Sequence, residues 1–391
     1  MTTTPAPQRA WLVVLGIYAI TRGVSSLLLG TMFAIASKAG WTFASHRVHP
    51  TFFTFSGSWD SSAYKTIAEH GYPTTLPTDA AGHVLPNPWA FLPVFPGIER
   101  AVAALTGLEF YTAGVIIATV FGFGASLMLY LLLRLRVDET PARWAVVFFG
   151  IGPLGFILQA AYAESAFLFF LFAGLWALMT RRYLLVMPFG VLAAFTRPGV
   201  LALAVAMAVH LVLRWRERGM PGRTFSFRHR FTLVAVGLVV AAAGLAWPVV
   251  ASRVTGVSNA YLDTELSFWV GFVGRRPFTP FTPWFVMASR YLGVAGVVLV
   301  VVVLAAGVFW LSRKRMRMLG PELLGFSAAY WLYLVAVFLP QQSLPRLLLP
   351  TAMMLADPAL SATRRRRFVL AGAGVVLQAV AVVFVWFLGY P

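Results

Sequence analysis

The chain has 391 residues, of which 59% are hydrophobic and only 11% are charged. Soluble domains average about 25% charged residues, so this composition excludes an ordinary soluble protein. Repeated apolar runs of about 20 residues predict a polytopic membrane protein instead. Cysteine is absent, which excludes disulfide bonds and thiolate metal sites.

The net charge of +18 would suit a nucleic-acid-binding protein, but its distribution does not. The basic residues form short clusters between the apolar runs, without the aromatic interleaving that single-strand binders use. Such clusters orient a membrane protein, because loops rich in Lys and Arg stay in the cytoplasm. We therefore expect membrane lipids, and no nucleic acid, as partners. The clusters lie at about 134–143, 181–182, 214–230, 313–317 and 364–367.

The apolar runs predict an all-α polytopic membrane protein with about eleven transmembrane helices in one domain, residues 1–391. Helices are expected because a backbone in lipid has to satisfy its own hydrogen bonds, and because the runs are continuous rather than alternating. The first span begins at Trp11 and ends near Ala36. It contains Arg22, for which a structural ion pair and a functional role are both open. The other predicted spans cover about 111–133, 143–159, 162–180, 183–196, 198–213, 231–252, 287–311, 322–339, 346–360 and 368–389.

A long polar and aromatic loop, residues 37–110, separates the first two spans. Loops of this length are usually functional or disordered, and the many aromatic residues argue against disorder. Trp59, Ala63 and Ile67 recur at helical spacing, which predicts a short interfacial helix beginning near Asp60.

Four prolines between residues 86 and 96 cannot continue a helix. We expect an ordered, partly re-entrant turn there, followed by a helix at about 97–105. A second polar loop covers residues 253–285. If the N-terminus is cytoplasmic, every dense basic cluster is cytoplasmic too and both loops lie outside. With the Arg- and Ala-rich composition, this predicts a protein of the bacterial plasma membrane whose active site is on the periplasmic face.

Asp60 is the first candidate for chemistry. It lies just outside the first span at a predicted helix N-terminus, where the helix dipole favours a carboxylate. An N-cap role accounts for that position equally well. The hydroxyls and rings of Trp59, Ser61 and Tyr64 around it suit a sugar, which favours the functional interpretation.

Several motifs carry a family resemblance. WDSSAYKTIAEHGYP, residues 59–73, resembles the W-D-(small)-x-(aromatic) segment of the PIG-V family, the enzymes that add the second mannose to GPI anchors, and of their bacterial relatives. Further segments resemble motifs of that family in the same order and extend the resemblance over most of the chain. Ser61 and Leu347 depart from the pattern, since Gly and an aromatic residue are common there. The further segments are NPWAFLPVFP, AYAESAFLFF, FTRPGVL and SLPRLLLP.

The resemblance implies a membrane glycosyltransferase of the GT-C superfamily, with a GT-C-like helix arrangement. Such enzymes move a sugar, here mannose, from a polyprenyl-phosphate donor to a lipid-linked or glycan acceptor with inversion. Asp60 would be the general base, because a sugar hydroxyl needs its proton removed as it attacks. The phosphate leaving group needs cations more than it needs a metal, so we expect neither a metal nor a cofactor.

The remaining candidates fall into two groups. Trp59, Ser61, Tyr64, Trp89 and Glu164 would bind substrate, although Glu164 is equally well explained as a structural partner of an arginine such as Arg22 or Arg197. Arginine forks would hold the donor phosphate, and anchoring at the membrane interface explains the same arginines about as well. These phosphate candidates are Arg197, Arg346, Arg275 and Arg276.

Other polar residues of the outer loops are expected to be ordinary. Asp263 and Glu265 are predicted to be loop acids, with contact to the substrate as the less favoured alternative. The outer histidines fit no metal motif and are predicted to be structural or to contact the acceptor. They are His46, His49, His70 and His83.

Two other functions remain open from the sequence. A transporter or flippase of a lipid-linked sugar would need the same cavity but no base, with Arg22 and Glu164 as gate residues. The absence of a visible internal repeat weakens this alternative. A non-catalytic assembly partner is the third interpretation, and it predicts that a change of Asp60 alone has no effect on glycosylation.

Overall fold

The computed structural model describes residues 9–41, 50–220 and 224–389, and within these ranges the chain is helical without a strand beyond one isolated bridge. The predicted all-α class is therefore confirmed. The α-helices are α1 (Ala10–Lys38), α2 (Phe52–Ser56), α3 (Asp60–His70), α4 (Val94–Thr106), α5 (Phe110–Arg134), α6 (Glu139–Ile151), α7 (Glu164–Met179), α8 (Tyr183–Ala194), α9 (Leu201–Glu217), α10 (Phe227–Thr255), α11 (Ala260–Ser267), α12 (Val270–Val273), α13 (Pro283–Ser312), α14 (Pro321–Val337), α15 (Leu344–Leu347) and α16 (Arg364–Ala381). Short 3-10 helices cover Pro88–Ala90, Gly155–Leu158, Met316–Leu319 and Leu349–Ala356, and a π-helix, Val382–Phe387, continues α16.

Five helices in the described part of the chain are long and apolar enough to cross a membrane, namely α1, α5, α10, α13 and α16 with its π-helical extension. Three further helices, α7, α8 and α14, are apolar but shorter. The predicted count of about eleven spans is not confirmed. Two of the predicted spans are interrupted, for reasons that the side chains make clear.

The predicted third span, 143–159, is broken after α6. The chain continues through an irregular segment with one 3-10 turn before α7 begins. Arg22 of α1 stabilises the break, because its guanidinium donates hydrogen bonds to the carbonyls of Gly155 at 2.6 Å and Gly150 at 2.7 Å. Carbonyl groups freed at membrane depth need donors from the protein. The arginine inside the first span therefore has a structural explanation.

The predicted tenth span, 346–360, is also not one continuous α-helix. It consists of α15 and a 3-10 helix that is kinked at Thr351. Pro345 and Pro350 explain the irregularity, since each removes a backbone donor and disfavours a preceding helical turn. As a result, Arg346 lies on a short turn rather than inside a long helix.

The core of the bundle is built around α7. This helix is apolar on all sides and nearly all of its residues are buried, as expected for a helix enclosed by others. It packs between α5 and α8. In contrast to α7, helix α13 has many exposed valines and leucines, which suit contact with lipid tails.

The basic loops meet at one end of the bundle. Arg136, after α5, lies 3.0 Å from Glu322 at the start of α14. His210, near the end of α9, lies 3.1 Å from the same carboxylate. Arg313, after α13, lies 3.8 Å from Asp357. Ion pairs thus join polar segments that are distant in sequence, and one of them lies beside the C-terminal half of α9.

Candidate active site

An unusual turn positions Asp60. Trp59 has φ 60° and ψ −116°, a conformation that residues other than glycine rarely adopt. Its indole nitrogen donates to the carbonyl of Trp386 at 2.8 Å, which fixes the turn against the C-terminal helix. Asp60 then becomes the first residue of α3, where the helix dipole favours a carboxylate. The predicted short helix is confirmed, while the Trp59 indole is engaged by the protein itself.

A buried ion pair joins Asp60 to Arg346. The Nη1 atom of Arg346 donates to Oδ2 of Asp60 at 2.7 Å, and the two side chains are 9% and 3% exposed. A charge-assisted hydrogen bond of this length is strong, and the surrounding low dielectric strengthens it further. The pair connects the first outer loop to the turn that replaces the predicted tenth span.

Glu164, the first residue of α7, extends this pair to a cluster of four charges. Its Oε1 atom lies 2.6 Å from Nη1 of Arg197 and 3.4 Å from Nη1 of Arg346. Two carboxylates and two guanidinium groups balance, so these four charges compensate one another. We call Asp60, Glu164, Arg197 and Arg346 the charge cluster. The structure brings these predicted site residues together, with Arg197 rather than Arg22 as the partner of Glu164.

Tyrosine rings line the charge cluster. The guanidinium carbon of Arg346 lies 5.2 Å from the ring centroid of Tyr162, a cation–π distance. The Tyr162 hydroxyl accepts a hydrogen bond from the backbone N–H of Asp60 at 3.3 Å. Burial raises the pKa of Tyr64, and the carboxylates of Asp60 and Glu164 raise this pKa further, so its phenol stays neutral. Tyr64 was predicted here; Tyr162 was missed, although it stands in the AYAES segment.

A further acid approaches the charge cluster from α11. Burial raises the pKa of Glu265 to about 7, while a hydrogen bond from Tyr261 and the charge of Arg197 lower this pKa and the charge of Asp60 raises it. Glu265 is therefore close enough for both the positive and the negative charges of the charge cluster to shift its pKa. Glu265 lies on the short helix α11 of the second outer loop, and sequence spacing alone does not show that the charges of Arg197 and Asp60 reach it.

Ser61 acts as an anchor of the loop. Its hydroxyl donates to the carbonyl of Ala161, whose own N–H donates to the carbonyl of Ser56 at 3.0 Å. These bonds tie the start of α3 to the segment that carries Tyr162 and Glu164. Ser61 thus positions the site, and its hydroxyl proton is already used within the protein.

Trp89 lies in a separate aromatic cluster. Its ring centroid is 4.7 Å from that of Tyr72 and 5.2 Å from that of Trp247. Its indole nitrogen donates to the carbonyl of Pro73 at 2.9 Å, and Trp247 donates to the Trp89 carbonyl at 3.0 Å. The structure does not bring this predicted substrate residue to Asp60. It packs the first outer loop against α10 instead, and burial leaves its ring only 1% exposed.

Arg275 and Arg276 are likewise not brought to the charge cluster. Arg275 donates to Oδ2 of Asp79 at 2.8 Å, an ion pair between the two outer loops. Both arginines line a cavity of about 380 Å³ that also includes His83. The second outer loop contacts the Asp79 turn of the first through Arg275, and donor-phosphate binding by these two arginines stays a prediction.

No group of three or more His, Asp or Glu side chains that would suit a metal ion occurs within residues 9–41, 50–220 and 224–389. His70 ends α3, and His83 bonds to Asp79 at 3.1 Å. His46 and His49 lie outside the described residues. The charge cluster itself offers a proton acceptor and two anion-binding forks within one buried site.

Comparisons with known proteins give two similar solved structures. The chain matches, over 95% of its length, the crystal structure of ArnT from Cupriavidus metallidurans in the apo state, at 12% identity and a TM-score of 0.45. It also matches the archaeal oligosaccharyltransferase AglB from Archaeoglobus fulgidus, in complex with an inhibitory peptide and a dolichol-phosphate, at 15% identity and a TM-score of 0.36. The chain spans only 63% of the first and 50% of the second protein.

No protein-family model and no curated protein matches the chain, so the PIG-V resemblance stays a prediction from the motifs. The helices themselves define the class: this is an all-helical integral membrane protein. Its described part contains one buried site that combines two acids and two arginines.

Proposed function

We propose that the chain is an inverting glycosyltransferase of the GT-C type, which moves a hexose from a polyprenyl-phosphate donor to a lipid-linked or glycan acceptor. Mannose is the sugar that the PIG-V resemblance favours. The observation that carries the proposal is the Asp60–Arg346 pair, since it joins a proton acceptor to an anion-binding group in one buried place.

The pairing gives a physical sequence of events. A donor phosphate that enters the site competes with Asp60 for the guanidinium of Arg346, because both ligands accept charge-assisted hydrogen bonds. Once released, Asp60 takes the proton from the acceptor hydroxyl as that oxygen attacks the anomeric carbon. The bond from this carbon to the phosphate oxygen breaks on the opposite face, and polyprenyl phosphate leaves with the electron pair. Arg197 and Arg346 stabilise the growing negative charge.

The charges also support an orientation. The basic loops lie together at the end of the bundle that the positive-inside rule assigns to the cytoplasm. The charge cluster lies near the other end, beside the two outer loops. We infer a cytoplasmic N-terminus and an active site on the periplasmic face of the plasma membrane, which is where the acceptor would be met.

The test is transfer by purified protein with synthetic polyprenyl-phosphate-mannose and a membrane-lipid extract as acceptor, in detergent and with EDTA present. We expect transfer by the wild type and a loss of about a hundredfold or more for Asp60→Asn, because general acid–base catalysis contributes about 10²- to 10⁴-fold. Asp138→Asn is the matched control, since Asp138 is an exposed aspartate before α6. Full activity of Asp60→Asn would exclude the mechanism.

A lipid carrier would behave differently in the same system. It would form no glycosidic bond in detergent but would move labelled lipid between leaflets of a liposome. Bond formation by the wild type therefore excludes a pure flippase, and flipping without bond formation would replace our proposal.

A further inference from the structure

A second site lies between the two outer loops. The cavity of about 380 Å³ is lined by His83 of the first loop and by Asp263, Trp269 and Arg276 of the second. Its volume falls in the range of about 300–1,000 Å³ that is usual for small-molecule sites. The ion pair of Arg275 with Asp79 closes one side of it and holds the loops together.

The helix α11 separates this cavity from the charge cluster. With 3.6 residues per turn, Tyr261 and Glu265 share one face of the helix, and Asp263, Leu266 and Ser267 point to the opposite side. The charge of Arg197 acts on both Tyr261 and Glu265 and that of Asp60 acts on Glu265, whereas the second group lines the cavity. The cavity is thus one helix away from the proposed base.

The lining has a distinct chemistry. The Trp269 ring is a surface on which a sugar face can pack, and the Asp263 carboxylate can accept hydrogen bonds from hydroxyl groups. Arg276 is exposed, and no carboxylate of the described residues lies within ion-pair distance of it. Arg275 is held in place by Asp79, which itself accepts hydrogen bonds from the backbone of Ala81 at 3.0 Å and His83 at 2.9 Å.

We propose that this cavity is a distal acceptor subsite: it binds a phosphate-bearing sugar of the acceptor, while the sugar whose hydroxyl reacts lies beside Asp60 on the other side of α11. The aromatic ring and the acid would hold the sugar, and Arg276 with Arg275 would hold the phosphate. The assignment as acceptor rests on the proposed transferase function, whereas binding in the cavity does not. The two can therefore fail separately.

The experiment measures binding of mannose 6-phosphate, mannose and inorganic phosphate to purified protein by saturation-transfer NMR. It uses both the wild type and Asp60→Asn. We expect mannose 6-phosphate to bind at least tenfold more tightly than either part, with equal affinity for the two proteins. Arg276→Gln and Trp269→Ala should each weaken it about tenfold or more, as expected for a lost charged contact or ring surface. Arg290→Gln, an exposed arginine on α13, should not.

The remaining outcomes overturn the proposal in different ways. Equal binding of inorganic phosphate and mannose 6-phosphate would show a simple anion site. A second such outcome is retention on anionic phosphatidylglycerol nanodiscs that depends on Arg276, without any binding of the sugar phosphate. It would assign the arginines to lipid headgroups. If the sugar phosphate binds as expected but fails to inhibit an active wild-type enzyme competitively against the acceptor, the cavity is a glycan site but not the acceptor subsite.

Discussion

The Nη1 atom of Arg346 donates to Oδ2 of Asp60 at 2.7 Å, although the two residues are 286 positions apart. The residue proposed to take a proton is thereby held by a residue proposed to bind phosphate. A donor phosphate that takes over the guanidinium of Arg346 would free the Asp60 carboxylate for the acceptor hydroxyl.

The charge cluster should show strong coupling between its members. Arg346→Gln leaves two buried acids with Arg197 alone, and removal of one partner of a buried pair costs about 3–5 kcal/mol. In the double variant Asp60→Asn/Arg346→Gln the acid count falls with the arginine count, so much of that stability should return while transfer stays lost. Thermal unfolding in detergent measures this. Losses of stability that simply add would contradict the structure.

Stability should depend on pH through Glu265. Its pKa is raised from 4.5 to about 7 in the folded protein, so the folded state keeps a proton that the unfolded state has already lost between these values. The contribution of Glu265 to stability therefore falls as pH rises from about 4.5 to about 7, and it stays low above that range. Glu265→Gln should have no advantage at pH 4.5 and a higher melting temperature than the wild type at pH 8. A difference in melting temperature between the two proteins that does not change with pH would contradict the raised pKa of Glu265.

The aromatic cluster around Trp89 should act on stability more than on chemistry. Trp89→Ala removes a buried ring and a hydrogen bond, and we expect a loss of about 3–5 kcal/mol, as for other buried Trp or Phe truncations. The transfer activity per folded molecule should fall much less in Trp89→Ala than in Asp60→Asn. Trp310→Ala, on a lipid-facing surface at 39% exposure, is the control and should unfold close to the wild-type temperature. Loss of transfer with unchanged stability would restore Trp89 to the substrate site.

Close packing at Gly114 should be sensitive to a single methyl group. A Cβ atom there would meet the Glu99 carboxylate and lie 2.8 Å from Cβ of Ala161, in the segment that leads to Tyr162. Gly114→Ala should therefore destabilise the protein by about 1–3 kcal/mol and lower transfer. Gly97→Ala, in α4, meets no atom within 4 Å and should be neutral or slightly stabilising because alanine favours helix. Equal effects of the two changes would show that the packing is not critical.

The sequence predicted the parts of the site that depend on local pattern. A long apolar run predicts α1, and helical spacing after an aspartate predicts α3. Asp60, Glu164, Arg197 and Arg346 could be selected because charges are rare in so apolar a chain and because each stands in a short motif. The structure adds the pairing that makes them one cluster.

Other features depend on contacts between distant segments, which periodicity does not contain. Glu265 was interpreted as a loop acid, because no local sequence pattern shows that α11 lies near Arg197. Trp89 was predicted to bind substrate, because the sequence of a proline-rich loop does not show whether a tryptophan in it is exposed or packed. The sequence did not predict the break after α6, because Arg22, which supplies the hydrogen-bond donors for the freed carbonyls, belongs to a different helix.

The bond from Trp59 to Trp386 spans 327 positions and fixes the turn that starts α3. In the same region, Gln378 of α16 accepts from Ser25 at 2.8 Å and donates to the carbonyl of Gly152 at 2.8 Å. During synthesis the ribosome releases Asp60 long before it releases Trp386. The turn that carries the acid has no acceptor for the Trp59 indole until α16 has inserted, so the charge cluster of the nascent chain lacks this support almost to the end of translation. Changes in α16, far from the acid in sequence, would therefore behave as defects of biogenesis.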